Sequence, residues 1–480
     1  MAFTIVDHQH TKIVATVGPA SSSYEMLKKL VRAGVDIFRL NFSHGKHEDH
    51  KTVIDRIVKI NEDHGTHVGI LADLQGPKLR IGEVENNGIP VEGGDILTFV
   101  NEPCLGTKEK IYMSYDKFAE DVKVGEKVLV DDGKLMFEVI ETNKVDTVKL
   151  KVLFGGILSS RKGVNLPNTN ISLPSLTPKD EKDLDYILTQ PAVNWIALSF
   201  VRTAQDMKDL RKRVEARNHP AKVLAKIEKP EAIENIDKII KASNAIMVAR
   251  GDLGIEIPME QLPVVQKMII QKCIQRARPV IVATHMLDSM IHSPTPIRAE
   301  VTDVANAVFD GADAVMLSGE TSVGIHPDKV VETMNNIIAE AEKHYSIEDK
   351  RPKPAKKSRT FLSDAICFNA AKVAEDIKAR AILGMTTSGY TAFKVSSYRP
   401  LTNIFIFSDS RHMLKTLSLA WGVRCFYYDK FTTTDETIED IVSILRIKNK
   451  IKKGDIVVNT GSMPIKKKHR TNMMKITVVE

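Results

Sequence analysis

Eight short apolar segments recur along the first 320 residues, and this recurrence constrains the fold more than any other feature. Each has the length of a buried strand, and amphipathic stretches such as 24–33, 206–216 and 262–277 lie between most of them. This alternation predicts parallel βα units, and eight units predict a closed (β/α)8 TIM barrel. The predicted strands are 12–18, 37–43, 68–75, 195–201, 222–229, 245–252, 279–286 and 314–320.

The predicted strands turn polar at their C-terminal ends. In a (β/α)8 barrel these ends line the mouth where active sites lie, so the shared polarity predicts the position of a site. The polar residues at these ends are Thr16, Arg39, Asn41, Ser43, Asp73, Lys226, Glu228, Asp252, Thr284 and Ser318.

Two further domains and a linker accompany the barrel, which is predicted to span 1–74 and 170–345. Residues 75–169 contain short alternating runs and glycine turns, which predict antiparallel hairpins in an inserted all-β lid that excludes water. Lys and Arg supply six of the ten residues 350–359, so 346–360 is expected to be an exposed linker. Strands and helices alternate again over 361–480 and predict a C-terminal α/β domain. The fold class is therefore α/β.

Composition narrows the functional classes. Of 480 residues, 43% are hydrophobic and 27% charged, which is typical of a globular protein of two or three domains. A net charge of +7 suits anionic substrates, and no nucleic-acid signature accompanies it. No apolar run reaches the roughly 18 residues of a membrane helix, and the N-terminus does not resemble a signal peptide. The four cysteines show no CxxC spacing, so we expect a cytoplasmic protein without zinc or disulfides.

The strongest cluster comes from two neighbouring strands, in the segments KIE and VARGD. Glu228 and Asp252 are placed to share one divalent ion, and Lys226 lies beside them. Mg²⁺ is favoured, with Mn²⁺ as a substitute, because no His or Cys lies near these carboxylates in the sequence. Two carboxylates, a metal ion and an ammonium form a site for a phosphate. The alternative is a buried structural ion pair.

Three other segments carry candidate anion ligands. Arg39 is a candidate phosphate clamp, although its neighbours Asn41 and Ser43 also suit simple strand-end hydrogen bonding. Lys78 and Arg80 follow the third strand and could place cations near the site, or be solvated loop charges. The segment TTSGYT opens a helix and favours phosphate, or is an ordinary helix cap, and a late basic loop could add cations. This third set comprises Thr386, Thr387, Ser388, Gly389, Thr391, Lys466, Lys467 and Lys468.

Taken together, the motifs resemble the pyruvate kinase family from about residue 11 to the end. TKIVATVGPAS, RLNFSHG, KGVNLP, KIE, MVARGDLGIEIP, PVIVAT and MLSGET occur in family order. The resemblance implies transfer of a phosphoryl group from phosphoenolpyruvate to ADP, the last step of glycolysis, with Mg²⁺. It also implies a β-rich lid, an α/β C-terminal domain that makes activation by a sugar phosphate plausible, and usually a homotetramer.

The resemblance assigns roles position by position. Glu228 and Asp252 correspond to metal ligands, Lys226 to the residue that stabilises the transferring phosphoryl group, and Arg39 to a phosphate ligand. Gly251 and Thr284 correspond to positions that contact the substrate carboxylate. Ser318 resembles a polar residue near the enolate, whose proton donor is Thr284, Ser318 or bound water. The nucleotide-side positions are Thr16, Pro19, Asn41, His44, Arg80 and Lys162.

One departure concerns the monovalent cation. Leu74, Gln75 and Lys78 resemble the potassium-independent branch of the family, whereas the potassium-requiring branch has a glutamate at the position of Lys78. We therefore expect the Lys78 ammonium to supply the charge of K⁺, and activity without added K⁺. The predicted cation region also includes the retained positions Asn41, Ser43 and Asp73.

Two other hypotheses remain open on the residues alone. A barrel lyase or aldolase could bind a 2-oxo acid through Mg²⁺ at the same carboxylates, although it would need neither Lys226 with Arg39 and Arg80 nor a lid. A non-catalytic sensor could bind a sugar phosphate through the last domain, although an intact Lys226, Glu228 and Asp252 speak against it.

Overall fold

The computed structural model describes residues 9–167, 169–345, 351–430, 433–463 and 470–480. It confirms the closed barrel, because eight parallel strands pair in sequence order and the first pairs with the last. The strands are Lys12–Thr16, Ile37–Asn41, Gly69–Asp73, Trp195–Leu198, Lys222–Ile227, Ala245–Ala249, Val280–Ala283 and Ala314–Leu317.

The strands end earlier than the sequence predicted. The run predicted as 245–252 stops at Ala249, and Arg250 opens the short helix Arg250–Glu256. The apolar pattern does not show that a helix begins at Arg250, because a polar residue there could equally be the exposed end of the strand. Asp252 therefore lies on a helical turn above the sheet, and polar residues such as Glu228 also follow their strand.

Helices surround the barrel and bury its outer face. Helix Tyr24–Ala33 has the predicted bounds, because the Ser23 side chain caps its first turn and Gly34 closes it at φ 119°. The other principal helices are His47–His64, Pro178–Ile187, Ala204–Ala216, Pro230–Glu234, Ile236–Ala242, Leu262–Gln275, Arg298–Asp310 and Pro327–Glu342. Inside the barrel, buried side chains such as Val14, Trp195 and Met247 fill the centre, so the site can only lie at an end.

The lid follows the third barrel strand and has its own core, which includes Phe99, Phe118 and Phe137. Most of its strands pair antiparallel, as predicted. Two features differ from the prediction, because Ile96–Val100 pairs parallel with Lys110–Tyr112 and a short helix forms at Phe118–Asp121. The remaining lid strands are Gly88–Val91, Lys127–Val130, Leu135–Thr142, Thr147–Phe154, Gly156–Ser159 and Val164–Asn165.

The C-terminal domain is a five-stranded sheet with helices, as predicted, and its last strand is antiparallel to its neighbour. The strands are Ala381–Met385, Asn403–Ser408, Val423–Tyr427, Ile456–Gly461 and Met473–Val478. The helices are Phe361–Asp376, Tyr390–Ser397, Arg411–Thr416 and Thr434–Ile447.

The C-terminal domain packs against the barrel floor, the end opposite the mouth. The buried Arg399 donates to Asp313 Oδ2 over 2.9 Å, and the Trp195 indole donates to the carbonyl of Thr416 over 3.2 Å. The described linker residues 351–360 are exposed or half-buried, and Arg351 pairs with Glu375 at 2.5 Å. Among the described residues, no helix is both long and apolar enough to cross a membrane.

Candidate active site

The ends of the second, third and fifth barrel strands bring four charged side chains together in the barrel mouth. Lys226 Nζ lies 2.9 Å from Glu228 Oε1 and 3.4 Å from Asp73 Oδ1. Arg39 Nη2 lies 2.7 Å from Asp73 Oδ2. The site therefore holds two cations and two carboxylates in contact, before Asp252 is counted.

These groups are removed from solvent, with exposed fractions of 9% for Lys226, 1% for Asp73 and 0% for Glu228. Burial alone would lower the pKa of Lys226, but the Asp73 and Glu228 carboxylates outweigh it and raise that pKa above its usual value. Lys226 therefore stays a cation at physiological pH. Burial raises the pKa of Glu228, and the Lys226 ammonium opposes this in part.

The carboxylates suit a hard divalent cation. Glu228 Oε2 accepts the Phe200 N–H over 2.6 Å, whereas Oε1 is buried and accepts no directed hydrogen bond, although it lies near Lys226. Asp252 is half-buried, and its charge acts on both Lys226 and Glu228. The described residues contain no group of three or more metal-ligating side chains. Two carboxylates agree with Mg²⁺, which commonly takes its remaining ligands from water and substrate phosphates.

The two predicted carboxylate-contacting positions touch each other. The Gly251 N–H donates to Thr284 Oγ1 over 2.7 Å, and that hydroxyl donates to the carbonyl of Ala283 over 2.6 Å. Thr284 has φ 72°, which is rare for a β-branched residue. Arg250 supports this turn, because its guanidinium binds the Thr284 carbonyl at 2.7 Å and Asp303 at 2.7 Å. Strain held in place by its surroundings is a feature of functional sites.

Thr16, a predicted nucleotide-side position, contacts the predicted phosphate ligand Arg39. Its hydroxyl accepts from Arg39 Nη1 over 3.0 Å and donates to the carbonyl of Leu317 over 2.9 Å, so it orients Arg39. Ser318 is half-buried, and its N–H donates to the buried Glu320 over 2.6 Å. Asn41 Oδ1 accepts the N–H of Ser43 over 3.1 Å.

The other nucleotide-side positions lie apart from the charged cluster. Pro19 and His44 are exposed. Arg80 donates to the carbonyl of Arg161 over 3.0 Å, within the lid. Lys162 pairs with Asp131 of the lid at 2.8 Å.

Lys78 is exposed. Lys78 and Asp252 both line the crevice between lid and barrel. The structure describes Lys78, Asn41, Ser43 and Asp73, and no hydrogen bond or ion pair joins Lys78 to the other three. Leu74, the remaining member of the predicted cation region, is buried. The cations that balance Asp73 here are Arg39 and Lys226, a pairing that the sequence did not reveal.

The sequence analysis missed two contributors. Ser199 Oγ accepts from Lys226 Nζ over 2.7 Å and donates to the carbonyl of Leu74 over 2.7 Å. Ser199 directly follows a strand, so the rule that found the other polar strand ends could have found it. Glu256 binds Lys229 at 2.8 Å and Asn165 of the lid at 2.9 Å, and no sequence pattern signals this contact between lid and barrel.

The segment 386–391 connects a strand to the helix Tyr390–Ser397. Its Thr386 hydroxyl accepts the N–H of Gly389 over 2.9 Å, and Thr391 shares a 2.6 Å hydrogen bond with Thr471. Thr387 and Ser388 are exposed at the turn. The predicted partners Lys466, Lys467 and Lys468 lie outside the described residues.

Comparisons with known proteins all identify the same family. The family model for the pyruvate kinase barrel domain matches residues 8–331, and that for the pyruvate kinase alpha/beta domain matches residues 364–477. A pyruvate kinase of Staphylococcus haemolyticus is 41% identical over 471 residues, or 98% of this chain and 80% of that protein. One from Geobacillus stearothermophilus is 42% identical over 473 residues, with the same coverage. The crystal structure of a pyruvate kinase from Cryptosporidium parvum matches with a TM-score of 0.92 at 34% identity, over 98% of this chain and 97% of that one.

Proposed function

Because this chain belongs to the pyruvate kinase family, we propose that its barrel mouth transfers the phosphoryl group of phosphoenolpyruvate to ADP, giving pyruvate and ATP. The observation that carries this proposal is the buried contact of Lys226 with Glu228 and Asp73, with Arg39 beside it. No observation favours the lyase or the sensor.

Positioning and charge neutralisation supply most of the catalysis in phosphoryl transfer. Lys226 is suited to this work, because its raised pKa keeps the ammonium charged and its three short contacts hold it in place. Arg39 is oriented by Thr16 and Asp73, which leaves its guanidinium fixed before a substrate arrives. We assign both cations to the phosphoryl group, where preorganised charge stabilises the transition state.

Glu228 and Asp252 would hold the divalent ion, and we propose Mg²⁺, with Mn²⁺ as a substitute. When bound, the ion neutralises phosphate charge and orients the phosphate oxygens. Thr284 and Gly251 lie at a fixed turn beside Asp252 and would position the substrate carboxylate. The lid contact between Asn165 and Glu256 would help to exclude water.

The enolate needs a proton after transfer. The Thr284 hydroxyl already donates to the carbonyl of Ala283 over 2.6 Å, so its proton is engaged in this conformation. Ser318 and bound water remain alongside it as candidate donors.

We further propose that turnover does not require K⁺. Asp73 is balanced by Arg39 and Lys226 without a monovalent cation, and the exposed Lys78 adds a positive charge at the crevice between lid and barrel. The test measures pyruvate formation from phosphoenolpyruvate, ADP and Mg²⁺ in sodium buffer and then with K⁺ added. We expect equal rates. A rate that depends on K⁺ would retain the kinase and overturn the role of Lys78, and no turnover by folded protein under any condition would overturn the kinase.

We also propose a cellular setting, a regulatory site and an oligomeric state for the enzyme. We place it in cytoplasmic glycolysis, with residues 361–480 as a regulatory domain that binds a sugar phosphate at 386–391. A homotetramer is supported by the exposed apolar side chains Val264, Ile297 and Phe309 on barrel helices or their ends. The edge strand Met473–Val478 also exposes Ile476 and Val478. Light scattering of the purified protein would measure its mass.

A further inference from the structure

A cavity of about 340 Å³ lies between the barrel floor and the C-terminal domain. The barrel contributes Lys222, Asn244 and 276–278, all at the N-terminal ends of strands and therefore at the opposite end of the barrel from the mouth. The C-terminal domain contributes residues around the starts of the helices Phe361–Asp376 and Tyr390–Ser397. This volume falls within the range of small-molecule sites.

The lining carries an excess of positive charge. Lys222, Arg276, Arg278 and Lys394 face a single carboxylate, that of Asp364. Within the described part of the chain, no carboxylate lies within ion-pair distance of Lys222, Arg276 or Arg278, whereas Lys394 pairs with Asp364 at 3.5 Å. Three cations therefore border one cavity without a counter-charge.

Asp364 does not compensate for them. Besides Lys394, it accepts hydrogen bonds from the hydroxyls of Thr360, over 3.0 Å, and Tyr390. Its oxygens are thus engaged within the C-terminal domain, on its own side of the cavity.

The uncompensated charges have an energetic cost. Burial lowers the pKa of Lys222, and the nearby Arg278 and Arg211 lower it further. Burial and Arg211 likewise lower the pKa of Arg278. Arg211 is itself engaged with the carbonyl of Ala242 at 2.5 Å, so it does not bridge the others. An anion in the cavity would relieve both the desolvation and the repulsion.

We propose that this cavity binds a phosphorylated small metabolite, with its phosphate on Lys222, Arg276 and Arg278 and its organic part against Tyr390 and Phe393. Guanidinium groups bind phosphate through paired hydrogen bonds, and the two rings line the same cavity. The cavity shares Ser388 and Tyr390 with the proposed effector segment 386–391, but its proposed phosphate ligands Lys222, Arg276 and Arg278 come from the barrel. A bound ligand would bridge the two domains and stabilise their packing.

The test is direct binding rather than activity, so its outcome does not depend on the proposed function. Phenyl phosphate and inorganic phosphate are titrated calorimetrically into the full chain, with EDTA present to remove divalent ions. We expect one phenyl phosphate per chain, bound about threefold to tenfold more tightly than inorganic phosphate because its ring packs against Tyr390 and Phe393. The double variant Arg276→Ala/Arg278→Ala should bind at least about tenfold more weakly.

Four further variants keep the test decisive. Lys241→Ala removes an exposed charge from the floor outside the cavity lining and should bind as the wild type does. Lys226→Met should also retain binding, which separates the cavity from the mouth. If the double variant does not fold by circular dichroism, Arg276→Ala and Arg278→Lys replace it, and each should weaken binding. No binding by the wild type, or undiminished binding by the folded arginine variants, would overturn the proposal.

Discussion

Lys222 and Lys226 belong to one barrel strand, Lys222–Ile227, and experience opposite environments. Lys226 reaches the mouth, where the carboxylates of Asp73 and Glu228 raise its pKa against the effect of burial. Lys222 borders the floor, where burial and the neighbouring arginines lower its pKa. Four residues of strand separate them by about 13 Å. The direction in which the pKa of each lysine shifts therefore depends on the charged side chains around it and not on the strand that both lysines share.

The contrast extends to the ligands that each end can bind. The mouth holds carboxylate oxygens without directed hydrogen bonds, so it can bind a metal ion together with an anion. The one carboxylate that lines the floor cavity, that of Asp364, is already paired with Lys394. The other charged side chains that line the cavity are cations. The mouth should therefore depend on a divalent ion, whereas the floor cavity should bind an anion without one.

The largest expected effect comes from removing the positive charge of Lys226 at the mouth. Lys226→Met should lower kcat about 10³-fold, because it removes a preorganised charge from the transferring phosphoryl group and leaves Glu228 without its paired ammonium. Pyruvate formation is measured at saturating substrate, with circular dichroism as the check on folding. The exposed Lys238→Met serves as the matched control and should keep the wild-type rate. A loss smaller than tenfold for Lys226→Met would contradict its assigned role.

A smaller effect compares the two lysines within one molecule. In a brief pulse of an amine-acylating reagent at pH 9, Lys222 should react at least about tenfold faster than Lys226, because only the neutral amine reacts and a lowered pKa leaves more of it. Peptide mass spectrometry gives both rates, with the exposed Lys241 as reference. Added phenyl phosphate should slow the labelling of Lys222 alone. Equal rates at Lys222 and Lys226 would remove the contrast.

The fold was largely readable from the sequence because each element carries a local signal. All eight barrel strands were found from short apolar runs, and helix Tyr24–Ala33 from its periodicity between Ser23 and Gly34. Strand ends were less accurate, as at Ala249, because a polar residue marks the end of burial and not the start of the next helix. The parallel pair in the lid was missed because alternation does not encode strand direction.

The sequence predicted contacts within the site only between residues that are close together in the chain. Lys226 and Glu228 are two residues apart and could be grouped by inspection. The contacts of Asp73 with Arg39 and Lys226 depend on how three separate strands are arranged around the barrel, which no single segment records. Lys78 was expected beside the cation region, but a loop residue's direction is set by tertiary packing, and its side chain is exposed. The floor cavity forms only where the barrel and the C-terminal domain pack together, so the hydrophobic periodicity of the sequence could not predict it.

The smallest expected effect concerns Ser199, which we regard as a positioning residue. Its hydroxyl accepts from Lys226 and donates to the carbonyl of Leu74, so it fixes the ammonium relative to the third strand. Ser199→Ala removes one buried hydrogen bond, worth about 1 kcal/mol, and should lower kcat about fivefold while KM for phosphoenolpyruvate changes little. Ser199→Thr keeps the hydroxyl and should recover most of the rate. If Ser199→Ala and Ser199→Thr reduce the rate equally, packing rather than the hydroxyl is responsible. An unchanged rate in Ser199→Ala would instead mean that the carboxylates of Asp73 and Glu228 hold Lys226 in place without the hydroxyl.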